Sequence, residues 1–165
     1  MNFTIRRLNP GEADLYRVVR LESLRESPEA FATTYEAASN RTHESWVSQC
    51  EASAAGRDRA TFIVLADQPV GLAALYRNGE RPSEGELLQV WVSPAYRGGT
   101  VATELIDAVF HWAAANGFGM VRAEVTPDNV RALRFYEKCG FVRIEQDNGS
   151  AESNCILTRN VRQNA

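Results

Sequence analysis

Val90-Trp91-Val92-Ser93-Pro94-Ala95-Tyr96-Arg97-Gly98-Gly99-Thr100-Val101-Ala102 runs from an apolar strand through a proline turn and a glycine pair into the first turn of an amphipathic helix. Backbone N–H groups at a helix start lack intrahelical acceptors, and the positive end of the macrodipole lies behind them. Such a loop can hold a phosphate or pyrophosphate without a charged side chain. Two familiar phosphate loops do not fit. A Walker loop needs Lys-Ser or Lys-Thr after its last glycine, where Thr100-Val101 stands instead. The dinucleotide fingerprint needs G-x-G-x-x-G, which Gly98-Gly99 does not meet, although Glu124 falls loosely at the distance of its acidic partner. His43 and His111, the two histidines, have no partner at metal-ligand spacing, so no metal is expected. No serine sits on a strand-to-helix elbow. Cys50, Cys139 and Cys155 are odd in number and widely spaced, which suits reduced structural thiols better than a disulfide framework or zinc knuckle. Lys138 beside Cys139 could lower that thiol's pKa, but a buried helix-end cysteine is the expectation.

The elements that must position the loop follow from periodicity. Phe3 to Leu8 alternates as an opening strand, and a helix bearing Leu15, Val18, Val19, Leu21 and Leu24 ends at Ser27-Pro28. Pro28 to Tyr35 reads as irregular and aromatic-rich, and a short helix is expected around Glu44 to Ala55. Thr61–Ala66 and Val70–Tyr76, separated by Asp67-Gln68-Pro69, form a hairpin. Asn78 to Gly85 reads as a loop before a strand from Glu86 to Val92, with Leu88, Val90 and Val92 expected on one face. The helix after the glycines carries Val101, Leu105, Val109 and Trp112 to a stop at Asn116-Gly117. Met120 to Val125 is a strand, Val130 to Cys139 a helix ended by Gly140, and Phe141–Ile144 and Asn154–Thr158 a last strand pair around polar Gln146 to Ser153. The order implies a mixed sheet with helices on both faces, and a right-handed parallel crossover from Glu86 to Val125.

At 165 residues, 44% hydrophobic and 24% charged, the chain suits a single domain, residues 1–165. A net charge of -3 and a pI near 5.5 argue against a nucleic-acid partner. There is no apolar run of membrane-spanning length and no signal-peptide pattern at the N-terminus, so no membrane partner and a cytoplasmic location are expected.

Arg97-Gly98-Gly99-Thr100-Val101-Ala102 resembles the Q/R-x-x-G-x-G/A loop of the GCN5-related N-acetyltransferase (GNAT) family. Val125-Thr126-Pro127-Asp128-Asn129 through Ala132 and Phe135-Tyr136-Glu137-Lys138-Cys139-Gly140-Phe141 resembles that family's second signature. The resemblance covers the chain from Phe3 to about Thr158. It implies an α/β (α+β mixed) fold with a central mixed sheet of six to seven strands and about four helices. It also implies transfer of an acetyl group from acetyl-coenzyme A, as cosubstrate, to a primary amine of a small molecule, peptide or protein N-terminus by direct attack. A non-catalytic acyl-coenzyme A binding or sensing domain of the same fold is the alternative, and a homodimer is compatible with either.

By the same resemblance, Val90, Trp91 and Val92 would pair with the pantetheine arm. Arg97, Gly98, Gly99, Thr100, Val101, Ala102 and Thr103 would hold the pyrophosphate, and Asn129 would contact the coenzyme or cap its helix. Tyr136 would face the coenzyme sulfur as general acid, since a phenol can donate a proton to a developing thiolate. Glu86, with Glu84 beside it, would take the proton of the amine through water. Phe31, Tyr35 and Trp46 would line the acceptor's approach, with Glu22, Glu29 or Glu36 attracting a cation. One departure stands out: Thr100 occupies a position where the family usually has glycine, and a β-branched residue there would crowd the pyrophosphate or offer it a hydroxyl.

Overall fold

A computed structural model of the chain describes residues 2–144 and 154–161; the polar segment from Gln146 to Ser153 lies outside them. The chain runs β1 (Thr4–Arg7), α1 (Ala13–Glu26), α2 (Tyr35–Ser39), α3 (His43–Ala54), β2 (Arg59–Leu65), β3 (Pro69–Arg77), β4 (Glu84–Val92), α4 (Val101–Ala115), β5 (Met120–Val125), α5 (Val130–Lys138), β6 (Val142–Ile144) and β7 (Cys155–Asn160). The periodicity reading missed α2, which makes five helices where about four were expected. At five residues α2 is too short to show a repeat, and it is set by Thr34, whose side chain accepts from the Ala37 N–H. Thr42 and Asn129 cap α3 and α5 in the same way.

The seven strands form one sheet in the order β1-β2-β3-β4-β5-β7-β6, antiparallel throughout except for the parallel pair β4 and β5, which α4 connects. Two apolar cores cover its faces. On one, Leu105, Ile106, Val109 and Phe110 of α4 and Leu133 and Tyr136 of α5 pack against Val64, Leu75, Leu87 and Val121. On the other, Tyr16 and Val19 of α1 and Trp46 and Cys50 of α3 pack against Ile63, Leu72 and Trp91. Each fully buried Leu, Ile or Val contributes roughly 1.5–3 kcal/mol. The buried stripe of α1 is Ala13, Tyr16, Val19, Arg20, Ser23 and Leu24, and Val18 is 58% exposed. Of the five apolar residues expected inward, Val19 and Leu24 are buried and Leu15 and Leu21 pack at the edge of the core; only Val18 faces out, while Tyr16 and Arg20 join the inner side, Tyr16 reaching Gln89 and Gln49.

Two features of β4 shape the molecule. Its ladder with β5 covers Glu84–Glu86 against Met120–Arg122 and then ends, although β4 continues to Val92 and β5 to Val125. Gln89 has a φ of +59°, unusual for a residue with a Cβ, and the β3–β4 register slips around it, from Ala74↔Leu88 to Leu72↔Trp91. This bulge reverses the alternation. Leu87, Val90 and Val92 pack towards α4 and α5, while Trp91 turns to α1 and α3. Leu88 therefore does not share the face of Val90 and Val92, as an uninterrupted strand would require. At the foot of β4, Gly85 lies so close to Leu75 and the Phe118 ring that a Cβ would come within 2.8–2.9 Å of them.

Candidate active site

The parted strands β4 and β5 leave a wedge in the sheet, and the loop from Arg97 to Thr103 lies beyond the end of β4. Gly98 has a φ of +84°, the left-handed region that favours glycine, and starts the turn into α4. From Gly98 to Thr103, six consecutive backbone N–H groups find no acceptor among the described residues; the first helical bond is Glu104 N–H to the Thr100 carbonyl at 2.9 Å. Fifteen residues of α4 stand behind them with their dipole aligned. Thr100 does not crowd this loop. Its backbone is right-handed, at φ -97° and ψ -6°, and its exposed hydroxyl donates to Glu104 Oε2 at 2.6 Å. The position that needs glycine is Gly98, and glycine is there.

The Arg97 side chain turns inward. Its Nε donates to the Val92 carbonyl at 2.8 Å and its Nη2 to Glu26 Oε1 at 2.5 Å, the same oxygen that accepts from Trp91 Nε1 at 2.9 Å. Burial pushes the Glu26 carboxyl up, but hydrogen bonds from Ser27, Trp91 and Arg97 outweigh it and leave the group below its ordinary value. Arg97 thus fastens the loop to β4 and the end of α1, which leaves the backbone amides as the groups of the loop available to an anion. Glu26 was not foreseen; nothing in its spacing distinguishes it from the other acids of α1.

Across the wedge, the Asn129 side chain caps α5 by accepting from the Ala132 N–H at 3.1 Å. That cap aims α5 so that Tyr136 enters the α4 side of the core, 5.3 Å from the Phe141 ring. Tyr136 is 8% exposed, and burial raises its pKa, so it stays protonated. Its hydroxyl makes no hydrogen bond among the described residues, yet it is not among their sealed polar atoms. Cys139, one turn on, is also pushed up by burial, and Lys138 does not reverse this.

Glu86 lies on the opposite face, directly across the ladder from Tyr76 and paired with Arg122 at 2.9 Å. Burial raises its pKa against the pull of Arg122, which fits a carboxylate poised to accept a proton. Glu84 instead pairs with Arg81 at 3.7 Å. Of the expected acceptor-lining residues, Trp46 is buried in the α1/α3 core and Phe31 packs at its edge, but Tyr35 is 44% exposed and belongs to neither core. Glu22 pairs with Arg25, and Glu29 and Glu36 are exposed, so these acids do not converge on the wedge. Sequence reasoning missed Gln89, whose side chain accepts from the Tyr16 hydroxyl at 2.8 Å, and Gln49, which donates to Tyr16 and Tyr76 at 2.8 and 3.1 Å. Their signal was faint: polar residues on otherwise apolar stripes. Among the described residues no group of His, Cys, Asp and Glu could hold a metal ion, and no helix is long and apolar enough to cross a membrane.

Known proteins share this fold. The fold is similar to that of a GNAT-family acetyltransferase from Streptococcus pneumoniae, with a TM-score of 0.79 and 16% identity over 96% of this chain and 99% of that one. It is also similar to the PaiA N-acetyltransferase of Thermoplasma acidophilum in complex with coenzyme A, with a TM-score of 0.74 and 19% identity over 97% and 99% of the two chains. In sequence, 91 residues are 31% identical to an uncharacterized N-acetyltransferase of Methanocaldococcus jannaschii, covering 52% of this chain and 40% of that protein. The chain spans between 21% and 40% of the length of the curated relatives it matches. The model of the acetyltransferase (GNAT) family matches residues 21–141. That span takes in both sides of the wedge and the loop beyond it, and the chain belongs to the GNAT family of acetyltransferases.

Proposed function

We propose that this chain, as one N-acetyltransferase domain acting in the cytoplasm, moves the acetyl group of acetyl-coenzyme A to a primary amine by direct attack. The observation that carries the proposal is the run of N–H groups from Gly98 to Thr103 without acceptors among the described residues, beyond the gap where β4 and β5 part. The residues fit the coenzyme. The amides would take its pyrophosphate, and Val90 to Val92, which have β3 on one side and no strand on the β5 side, would pair there with the amides of the pantetheine arm as an added strand would. Bound there, acetyl-coenzyme A supplies a thioester with a thiolate leaving group.

The chain's own groups do the rest. Backbone N–H groups at Val90–Val92 polarise the thioester carbonyl, where one well-placed donor is worth roughly 3 kcal/mol. Glu86, directly or through water, takes the proton the amine must lose, and Tyr136 donates its hydroxyl proton to the sulfur as the C–S bond breaks and the C–N bond forms. The raised pKa of Tyr136 keeps that proton in place until the thiolate develops.

The test is release of coenzyme A across a panel of polyamines, amino acids, aminoglycosides and short peptides, with Tyr136→Phe in parallel. Amine-dependent release is expected, and the variant should lose roughly 10²–10⁴-fold in kcat. Its affinity for acetyl-coenzyme A should be unchanged. Stabilisation by acetyl-coenzyme A without turnover on any amine would point to a sensing domain. No stabilisation at all would refute the cosubstrate.

A further inference from the structure

Two arginines, Arg20 of α1 and Arg41 just ahead of α3, carry positive charge with no acidic partner among the described residues. Arg20 lies one turn beyond Tyr16 on α1 and is 7% exposed. Its guanidinium makes a single hydrogen bond among the described residues, Nη1 to Ser23 Oγ at 3.3 Å, and its Cζ lies 4.7 Å from the centroid of the Phe31 ring. Nε and Nη2 have no acceptor among the described residues, and neither is among their sealed polar atoms. A buried guanidinium normally lies against a carboxylate. Here burial lowers its pKa, and the charged and titratable groups acting on it are Tyr16, Tyr76 and Arg41.

Arg41 is a second cation without a carboxylate partner among the described residues. Its Cζ sits 4.0 Å from the Trp46 ring centroid, and its Nε and Nη2 donate to Ser45. Arg20 and Arg41 repel each other. The hydroxyls beside them complete a set of donors. Gln49 gives its amide protons to Tyr16 and Tyr76, Tyr16 gives its proton to Gln89 at the bulge of β4, and the Tyr76 proton finds no acceptor among the described residues. Glu86 stands directly across the β3–β4 ladder from Tyr76.

We propose that Arg20, Arg41 and the Tyr76 hydroxyl form a carboxylate subsite, so that the amine acetylated here belongs to an amino acid or a similar amino-carboxylate. The subsite rests on the acetyl-transfer reading for the identity of its ligand as an acceptor. A carboxylate between the two guanidiniums satisfies their free N–H groups and relieves their repulsion. The amino group at the other end of the molecule then lies towards Glu86 and the wedge. This reverses the charge of an acceptor drawn to Glu22, Glu29 or Glu36.

The experiment measures binding and turnover separately. Calorimetry on the full chain, with and without saturating coenzyme A, compares the N-acetyl derivatives of leucine, methionine and phenylalanine with their carboxamides. The carboxylates should bind at least tenfold tighter, and Arg20→Met and Arg41→Met should each erase that margin while leaving coenzyme A affinity unchanged. Arg20→Met should also raise Tm, because it removes a buried, unpaired cation. In turnover, the free amino acids should exceed their carboxamides, spermidine and O-phosphoethanolamine in kcat/KM. Equal binding of acids and amides, or equal losses on both in the arginine variants, would overturn the subsite even if coenzyme A binds and acetyl transfer proceeds. Preference for O-phosphoethanolamine would overturn the carboxylate assignment. Arginine-dependent binding of the acids without coenzyme A binding would retain the subsite and sink the acetyl-transfer reading.

Discussion

Substituting Gly98 and Gly99 in turn by alanine separates what the loop needs from what it tolerates. At neither position does a Cβ meet an atom within 4 Å, so steric collision drops out of the comparison. What remains is backbone conformation: Gly98 has a φ of +84°, whereas Gly99 lies outside the left-handed range. Holding an alanine in the left-handed region costs roughly 1–2 kcal/mol. For a chain of this length each kcal/mol moves Tm by about 2–4 °C, so Gly98→Ala should lower Tm by about 2–8 °C if its loop keeps its shape. If the loop relaxes instead, the melting loss shrinks and the cost reappears on binding. Coenzyme A then binds up to about 5–30-fold more weakly, since about 1.4 kcal/mol is tenfold. Scanning calorimetry of the free protein and titration calorimetry with coenzyme A together measure both terms. Their sum should be about 1–2 kcal/mol for Gly98→Ala and near zero for Gly99→Ala. Equal sums at the two positions, or a sum near zero at Gly98, would refute the reasoning.

Arg122→Met removes the cation that holds the Glu86 pKa down against burial. The rising limb of kcat/KM against pH should therefore move to higher pH, and an unmoved limb would remove Glu86 as the base. Glu26→Gln breaks the half-buried tie to Arg97 and Trp91 and should cost about 1–3 kcal/mol in urea melts at neutral pH, between the values for exposed and buried pairs. Because the folded Glu26 pKa lies below its ordinary value, that stabilisation is present above the unfolded pKa and lost as pH falls through the folded one. The gap between wild type and variant should accordingly narrow in acid. Gly85→Ala places a Cβ 2.8–2.9 Å from Leu75 and Phe118 and should destabilise by about 1–3 kcal/mol through overpacking, read as a lowered urea midpoint.

Sequence legibility varied with the length of the physical signal. Long periodic segments such as Val101–Ala115 and Met120–Val125 declared themselves, and the glycine pair followed by a helix located the amide cluster. The bulge did not, because Gln89 is an ordinary residue in an apolar run and its left-handed φ comes from tertiary demands on β4. The alternation of Leu88, Val90 and Val92 was therefore read through a break it could not reveal. On α1 the apolar spacing located Leu15, Val19, Leu21 and Leu24 but misplaced Val18, and it could not show that Tyr16 and Arg20 also turn inward, because their burial depends on polar partners such as Gln89 and Ser23. Acidic residues near the expected acceptor site suggested a cationic substrate, but their side chains spend their charge on Arg25 or on solvent. Arg20 was legible in principle as a cation four residues from Tyr16 on an inward stripe.

The three-pair splice between β4 and β5 gives the sheet an uneven grain. Strands β1 to β4 form one long antiparallel ladder and β5 to β7 another, joined by Glu84–Glu86 against Met120–Arg122. In amide hydrogen exchange such a joint should show as two opening events, with the β5–β7 strands opening at lower free energy than β1–β4. A ligand whose own amides bridge the gap lengthens the joint. Its occupancy should then be written in the exchange rates of Ala123 to Val125, merging two opening events into one.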